Sequence, residues 1–309
     1  MPGSSTNKKA FAAVIIVSFF WGTTYLVARV TVQHIPGLFL AGVRNLLAGS
    51  IIVLFFLLRG YKIPPRKTML QSALIGFVMV SFSSGLSTWS VQYISGGLAA
   101  IIGATIPLWI ALFSMAINKK RKFSLPVLSG LLLGFAGIAI IFYDHLAEML
   151  DSSFRKGIIL ASISCVTWAA GSVYASSIKL KTNILFGAGL QMLFAGVFVT
   201  VASMLMGETT NLLQMPRETW YGLFYLVIIG SVLTYSSYVY AISHLPPARV
   251  GVYAYINPIV AIILGNILLS ERLSFLIACG ALVTITGVYL VNSNLKKVAI
   301  ASQVAEQKT

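Results

Sequence analysis

Apolar residues run along the chain in long unbroken stretches, with neither the alternation of a half-buried strand nor the single apolar face of a surface helix. Windows of about 20 predominantly apolar residues, the length a helix needs to cross the hydrocarbon core of a bilayer, cover 10–30, 38–58, 69–91, 97–117, 124–143, 157–178, 185–206, 219–241, 247–269 and 273–292. Each is about twice as long as a barrel strand, so helices are predicted and a barrel is not. The connections are short, which predicts an all-α integral membrane bundle of ten transmembrane helices with no water-soluble domain. Lys8 and Lys9 ahead of the first window imitate a secretory signal. The window is too long for the apolar part of such a signal and further spans follow it, so it is expected to be retained as the first helix.

Composition places the chemistry. Of 309 residues, 58% are hydrophobic and 9% charged, where a soluble domain carries about 25% charge. The net charge of +15 would suggest nucleic acid in a soluble chain. Here the cations stand in short segments between apolar runs, which hold loops against an anionic leaflet, so the bilayer is the expected partner and nucleic acid is not. With a cytoplasmic N-terminus, every Lys and Arg except Arg29, Arg44, Arg155, Lys156, Arg217 and Arg272 falls on the cytoplasmic side. That asymmetry predicts both termini inside. Asp144, Glu148, Asp151, Glu208, Glu218 and Glu271 fall outside, and no acid sits mid-span. Cys165 and Cys279 lie in apolar runs without metal-ligand spacing, so neither a metal site nor a cofactor is expected.

Sliding the second half over the first exposes an internal repeat. An offset of 147 matches Trp21 to Trp168, Leu86 to Leu233 and Tyr93 to Tyr240; 151 matches Pro107 to Pro258; 150 matches Gly130 to Gly280 and Gly137 to Gly287. Five spans is an odd number, so the second copy must enter the membrane in the opposite sense, as in the inverted repeats of transporters. The predicted organisation is a tail at 1–9, a first five-helix repeat at 10–143, a loop at 144–156, a second five-helix repeat at 157–293 and a tail at 294–309. The basic run Lys119–Lys122 occupies one copy of the loop between the last two spans of a repeat, and the nearly neutral Ser270-Glu271-Arg272-Leu273 the other.

The stretch Ala241–Val291, with Leu245-Pro246-Pro247-Ala248, Tyr255-Ile256-Asn257-Pro258, Leu268-Leu269-Ser270-Glu271-Arg272-Leu273 and Gly280 to Gly287, resembles the second repeat of an EamA-type carrier of the drug/metabolite transporter superfamily. The first half agrees in Phe20-Trp21-Gly22 and Arg44-Asn45-Leu46-Leu47-Ala48. The resemblance implies a ten-helix inverted-repeat carrier of amino acids, related metabolites or drugs, with cousins that move nucleotide sugars or phosphorylated sugars. Lys119–Lys122 departs from it, since many relatives carry a Glu-Arg pair there.

A carrier site is expected at the midplane, where the repeats meet. Trp21, Thr24 and Tyr25 lie at that depth in the first span, and Trp168 and Ser172 in the sixth. Tryptophan away from its interfacial belt needs a partner for its indole N–H, which a wet cavity supplies, although a large aromatic also serves helix packing. Ser84 and Trp89 in the third span and Tyr235 and Tyr238 in the eighth complete the candidate wall; the serines equally suit close helix approach. Tyr253 and Asn257 stand just ahead of Pro258, and Pro107 repeats that break in the fourth span. Each proline leaves a carbonyl of the preceding turn free to bond a solute. Arg44 is either the counter-charge of an anionic substrate group or a framework residue paired with headgroups or helix-end carbonyls.

These residues predict a secondary transporter working by alternating access on a small-molecule substrate. Neutral or aromatic amino acids or similar zwitterionic compounds suit the cavity, with export the expected direction. The alternatives are a sugar-phosphate or nucleotide-sugar exchanger of the same fold, which needs more cations than Arg44, and a membrane-embedded enzyme on lipid-linked substrates, for which no acid, base or metal constellation is visible. His34, His145 and His244 lie at span ends or in loops, so facilitated diffusion or exchange is expected over carboxylate-based proton coupling. The expected location is the cell membrane, the inner one in a bacterium. No oligomeric state is assigned.

Overall fold

The computed structural model describes residues 4–117, 125–178, 180–208, 210, 215–245 and 250–306. The basic run Lys119–Lys122 and the segment Pro246–Arg249 lie outside them, as do Lys179 and Lys308. Ten long helices follow one another among the described residues: α1 (Ser4–Thr31), α2 (Gly37–Leu58), α3 (Arg66–Ser90), α4 (Gly96–Ile117), α5 (Leu125–Asp144), α6 (Ser152–Ser176), α7 (Ile184–Leu205), α8 (Arg217–His244), α9 (Tyr253–Leu269) and α10 (Phe275–Glu306). No strand occurs among these residues. Eight of the ten are long and apolar enough to span a membrane alone, and α9 and the apolar part of α10, Phe275–Val291, are shorter. The opening of the ninth window at 247–249 lies outside the described residues; Val250 is helical, Gly251 and Val252 form a turn, and α9 runs on from Tyr253.

The helix ends follow local chemistry. Prolines 36, 65 and 216 stand immediately before α2, α3 and α8, where a missing N–H costs nothing because the first turn has no acceptor for it. Side-chain oxygens of Ser95, Asp151 and Asn183 accept amide hydrogens in the first turns of α4, α6 and α7. Helices α2 and α7 both stop at a glycine in the left-handed region, Gly60 at φ 81° and Gly207 at φ 72°. Those two glycines are themselves 147 residues apart, the repeat offset.

Three helices depart from regular α geometry. Helix α3 carries a π segment at Gly76–Ser81 and α8 one at Leu226–Leu233, at equivalent places in the two halves. Helix α4 breaks at Ala104 and Thr105, so that Pro107 is the second residue of its second piece. In α9 the helix runs through Pro258 without a break.

Packing obeys the same two-fold logic. Helix α1 lies on α8 and α9 of the other half, and α6 lies on α3 and α4. The tightest pairs, α2 with α7 and α5 with α10, join equivalent helices back to back. Each of these four carries two glycines seven residues apart: 42 and 49, 189 and 196, 130 and 137, 280 and 287. A Cβ on Gly49 would stand 2.6 Å from Leu193 Cα, and one on Gly196 would stand 2.5 Å from Leu46 Cα. Gly130 meets the carbonyl of Gly287, and Gly280 the carbonyl of Gly137, each at 2.7 Å from the added Cβ. In every case residue i meets j while the equivalents of j and i meet each other, the signature of a two-fold contact. Backbones that approach this closely gain dispersion over their whole length.

Candidate functional site

A cavity lies between the two sets of central helices, lined by residues of α1, α2, α3, α4, α6, α7, α8 and α9. Trp21 and Trp168, the pair matched by the repeat, meet edge to face with ring centroids 5.6 Å apart and planes at 86°. Tyr253 packs edge-on against Trp21 at 5.3 Å. Tyr238 lies 5.1 Å from Trp21, 5.6 Å from Trp168 and 5.7 Å from Tyr253, filling the space behind them. Such edge and tilted contacts add about 0.5–1.5 kcal/mol per pair beyond burial, so the cluster holds its rings in fixed orientations. The Trp168 Nε1–H is buried and makes no hydrogen bond of good geometry, although the hydroxyls of Tyr238 and Tyr253 lie near enough to interact with it.

Asn257 joins this aromatic end. With its amide nitrogen turned toward them, Asn257 donates to the Tyr253 carbonyl at 3.1 Å and to the Ser18 carbonyl of α1 at 2.6 Å. Both donors are then spent on the junction between α9 and α1, and Oδ1 is left as an acceptor. Ala254, whose carbonyl loses its helical partner at Pro258, lines the cavity, and so does Gly103, four residues before Pro107.

The opposite end is polar. Arg44 on α2 donates through Nε to Ser231 Oγ at 2.7 Å and through Nη2 to the Gly230 carbonyl at 3.4 Å, both in the π segment of α8. Glycine at 230 makes room for Thr24, whose Cγ2 would lie 2.7 Å from a Cβ there, while Arg44 Nη2, at 3.5 Å, would be in ordinary contact. Asn45 donates to the Ala41 carbonyl at 2.9 Å and to Ser84 Oγ at 3.1 Å. Ser83, Ser87 and Thr88 add hydroxyls from α3. Among the described residues, Arg44 is the one charged side chain on the cavity wall, and no carboxylate comes within ion-pair distance of it.

The difference between the two ends arises where the halves have diverged. At the repeat offset Arg44 faces Gln191, Asn45 faces Met192, Thr88 faces Tyr235 and Val91 faces Tyr238; at the later offset Ile102 faces Tyr253. At these positions the second half supplies Tyr235, Tyr238 and Tyr253 and the first half the cation and smaller side chains, while each half contributes one tryptophan, Trp21 and Trp168. Gln191 is already engaged, since its Oε1 accepts from Tyr235 OH at 2.8 Å.

Of the residues singled out in the sequence, Trp21, Thr24, Tyr25, Arg44, Ser84, Trp168, Tyr235, Tyr253, Asn257 and Pro258 line this one cavity. Trp89, Ser172, Tyr238 and Pro107 are not part of the lining. Trp89 packs against Leu38, Ala41 and Val199 beneath the Lys156 ammonium, which sits 4.3 Å from its ring centroid. Ser172 lies a turn beyond Trp168 on α6. Sequence reasoning passed over Asn45 and Gly230, although Asn45 adjoins Arg44.

Polar groups away from the cavity hold helix ends. Arg29 donates to the carbonyls of Val91 at 2.6 Å and Gln92 at 2.9 Å, tying α1 to α3. Both oxygens of the Glu271 carboxylate accept from the α4 amides of Gly96 and Gly97, at 2.7 and 2.9 Å. Arg272 pairs instead with Asp144 at 3.7 Å and Glu148 at 3.6 Å. No group of three His, Cys, Asp or Glu side chains converges among the described residues.

An inverted pair of five-helix units around one central cavity defines a multi-pass membrane carrier. The chain belongs to the EamA-like transporter family, whose model matches residues 8–143 and again 155–293. It is 38% identical over 272 residues to the uncharacterized inner membrane transporter YedA of Escherichia coli (strain K12), covering 85% of this chain and 84% of that one. It is 25% identical to the uncharacterized transporter YvbV of Bacillus subtilis, over 94% and 93% of the two chains. A WAT1-related chloroplastic protein of Arabidopsis thaliana is 26% identical, over 94% of this chain and 71% of its own. A solved crystal structure superimposes with a TM-score of 0.65 at 17% identity, over 93% of this chain and 97% of the other, which shows the shared fold.

Proposed function

We propose that the protein carries neutral or aromatic amino acids and similar zwitterionic compounds through the central cavity by alternating access of its two repeats. The cell membrane is its place of work, the inner membrane in a bacterium, with net export its direction. The observation that carries this reading is the composition of one cavity wall. An aromatic part built on Trp21, Trp168 and Tyr253 adjoins a hydroxyl-rich part with a single cation, a surface for stacking an apolar side chain while orienting a polar head. The wall contains no carboxylate or histidine among the described residues, which supports facilitated diffusion or exchange over proton coupling through a membrane-embedded acid.

The test is counterflow of labelled L-phenylalanine and L-leucine in proteoliposomes. Wild-type protein exchanges both, whereas Trp168→Ala at matched insertion loses most of the activity. Trp168→Phe, which keeps the ring and removes the N–H, retains part of it. Wild-type exchange by Trp168→Ala, or no exchange of any neutral amino acid by the wild type, overturns the reading.

A further inference from the structure

We infer that the Arg44 end of the cavity is a subsite for one carboxylate and that no acid pairs an ammonium group there, so that apolar and aromatic monocarboxylic acids lacking an amino group belong to the substrate class. The inference deepens the function proposed above and rests on the same cavity being the transport site.

The geometry around Arg44 is that of a cation waiting for a partner. A guanidinium has five N–H donors in a planar fork. Two contacts, to Ser231 Oγ and the Gly230 carbonyl, use two of them, and the second is long at 3.4 Å. A cation inside a helical bundle is costly unless it is paired, yet the carboxylates whose partners are seen are committed elsewhere. Asp144 and Glu148 face Arg272, Glu271 caps α4, and Glu208 accepts from the Phe39 amide and Ser203 Oγ. The partner that matches a planar fork is a carboxylate, which can accept two parallel N–H bonds. Hydroxyls of Ser83, Ser84 and Ser87 on the facing wall of α3 offer further donors to the same group.

The rest of the wall limits what is attached to that carboxylate. No acid lines the cavity among the described residues, so an ammonium group would find carbonyl and amide oxygens and ring faces there but no countercharge. Asn257 Oδ1, the Ala254 carbonyl and the ring faces also accept uncharged substituents, so an ammonium is not required for a solute to be held. There is also only one cation: the residue equivalent to Arg44 in the second half is Gln191, already bonded by Tyr235. A second carboxylate on the solute would therefore meet the aromatic end, where it loses hydration and gains no partner. One acid group toward Arg44 and an apolar or aromatic body toward Trp21, Trp168 and Tyr253 is the solute this wall complements.

The experiment is calorimetric titration of the detergent-purified full chain with three probes sharing one aromatic body: L-phenylalanine, 3-phenylpropionate, which lacks the ammonium, and phenethylamine, which lacks the carboxylate. The expected result is that L-phenylalanine and 3-phenylpropionate bind within about tenfold of each other. Phenethylamine is expected to bind at least about 10–100-fold more weakly, the factor that corresponds to losing one charge-assisted contact of about 1.5–3 kcal/mol. Arg44→Gln lowers the affinity for both acids by a similar factor, and Arg44→Lys restores part of it. Should Arg44→Gln not insert, the wild-type panel still decides. Equal binding of phenethylamine and 3-phenylpropionate, strong preference for L-phenylalanine over 3-phenylpropionate, or binding of none of the three overturns the inference. Binding of the two acids without transport of either would leave the subsite standing and overturn the transport reading instead.

Discussion

Replacing Gly196 by alanine tests the two-fold packing at its narrowest point. The added Cβ would lie 2.5 Å from Leu46 Cα and 2.8 Å from Leu46 Cβ, whereas ordinary contact begins near 3.4 Å. The obstructing atoms belong to the backbone of α2 and to a Cβ fixed to it, so no rotamer change makes room. The two helices must part by about 1 Å, and a gap of 0.5–1 Å forfeits roughly a quarter to a half of the dispersion well along the interface. Overpacking of this kind costs about 1–3 kcal/mol. Gly49→Ala, the symmetry-related change, meets Leu193 Cα at 2.6 Å and should cost a similar amount. Gly85→Ala is the internal control: its Cβ would meet Val199 Cγ2 at 3.5 Å and Leu38 Cδ2 at 3.7 Å, ordinary contacts. Alanine is the better helix former by about 1 kcal/mol. Thermal unfolding of the detergent-purified variants, followed by size-exclusion fluorescence, should place Gly196→Ala and Gly49→Ala several degrees below wild type and Gly85→Ala at or above it. Equal melting temperatures for all three would refute the packing argument.

Three further outcomes follow from other parts of the molecule. Glu271→Ala removes two charge-assisted bonds from the first turn of α4 and should lower stability by about 1.5–3 kcal/mol, with Glu271→Gln milder because it keeps an acceptor; thermal unfolding distinguishes the two. Arg272→Ala breaks two ion pairs of a side chain 62% exposed, and double-mutant cycles with Asp144→Ala should give a coupling below about 1 kcal/mol. Asn257→Leu leaves the carbonyls of Ser18 and Tyr253 without their donor and should reduce exchange of neutral amino acids in proteoliposomes to a small fraction of wild type, with Asn257→Asp also failing because both amide donors are lost.

Much of the fold was legible because membrane depth imposes a simple rule: unbroken apolar runs of about 20 residues become helices. The runs located the ten helices, and Trp21 with Trp168 and the later glycine pairs exposed the repeat. The π segments in α3 and α8 left no mark, since a one-residue shift of helical register leaves an all-apolar run unchanged. The glycines at 42, 49, 189 and 196 share the offset of Trp21 and Trp168, yet their meaning depends on which helices lie back to back. For the site, depth could be read but facing could not. Trp89, Ser172 and Tyr238 stand at suitable heights and turn toward neighbouring helices, while Asn45, one residue from Arg44, holds Ser84 at the cavity wall. Helix periodicity gave no help, because a span apolar on all sides has no polar stripe to show which face is inward.

One cavity with an aromatic and a singly cationic part is proposed to move neutral amino acids and related solutes carrying one carboxylate. The most direct test is uptake by proteoliposomes from a mixed pool of amino acids, sugars and phosphorylated metabolites, read by mass spectrometry with and without a pH gradient. Selective uptake of neutral and aromatic amino acids, at rates the gradient leaves unchanged, is the expected result. Selection of phosphorylated sugars, or accumulation that depends on the gradient, would contradict it.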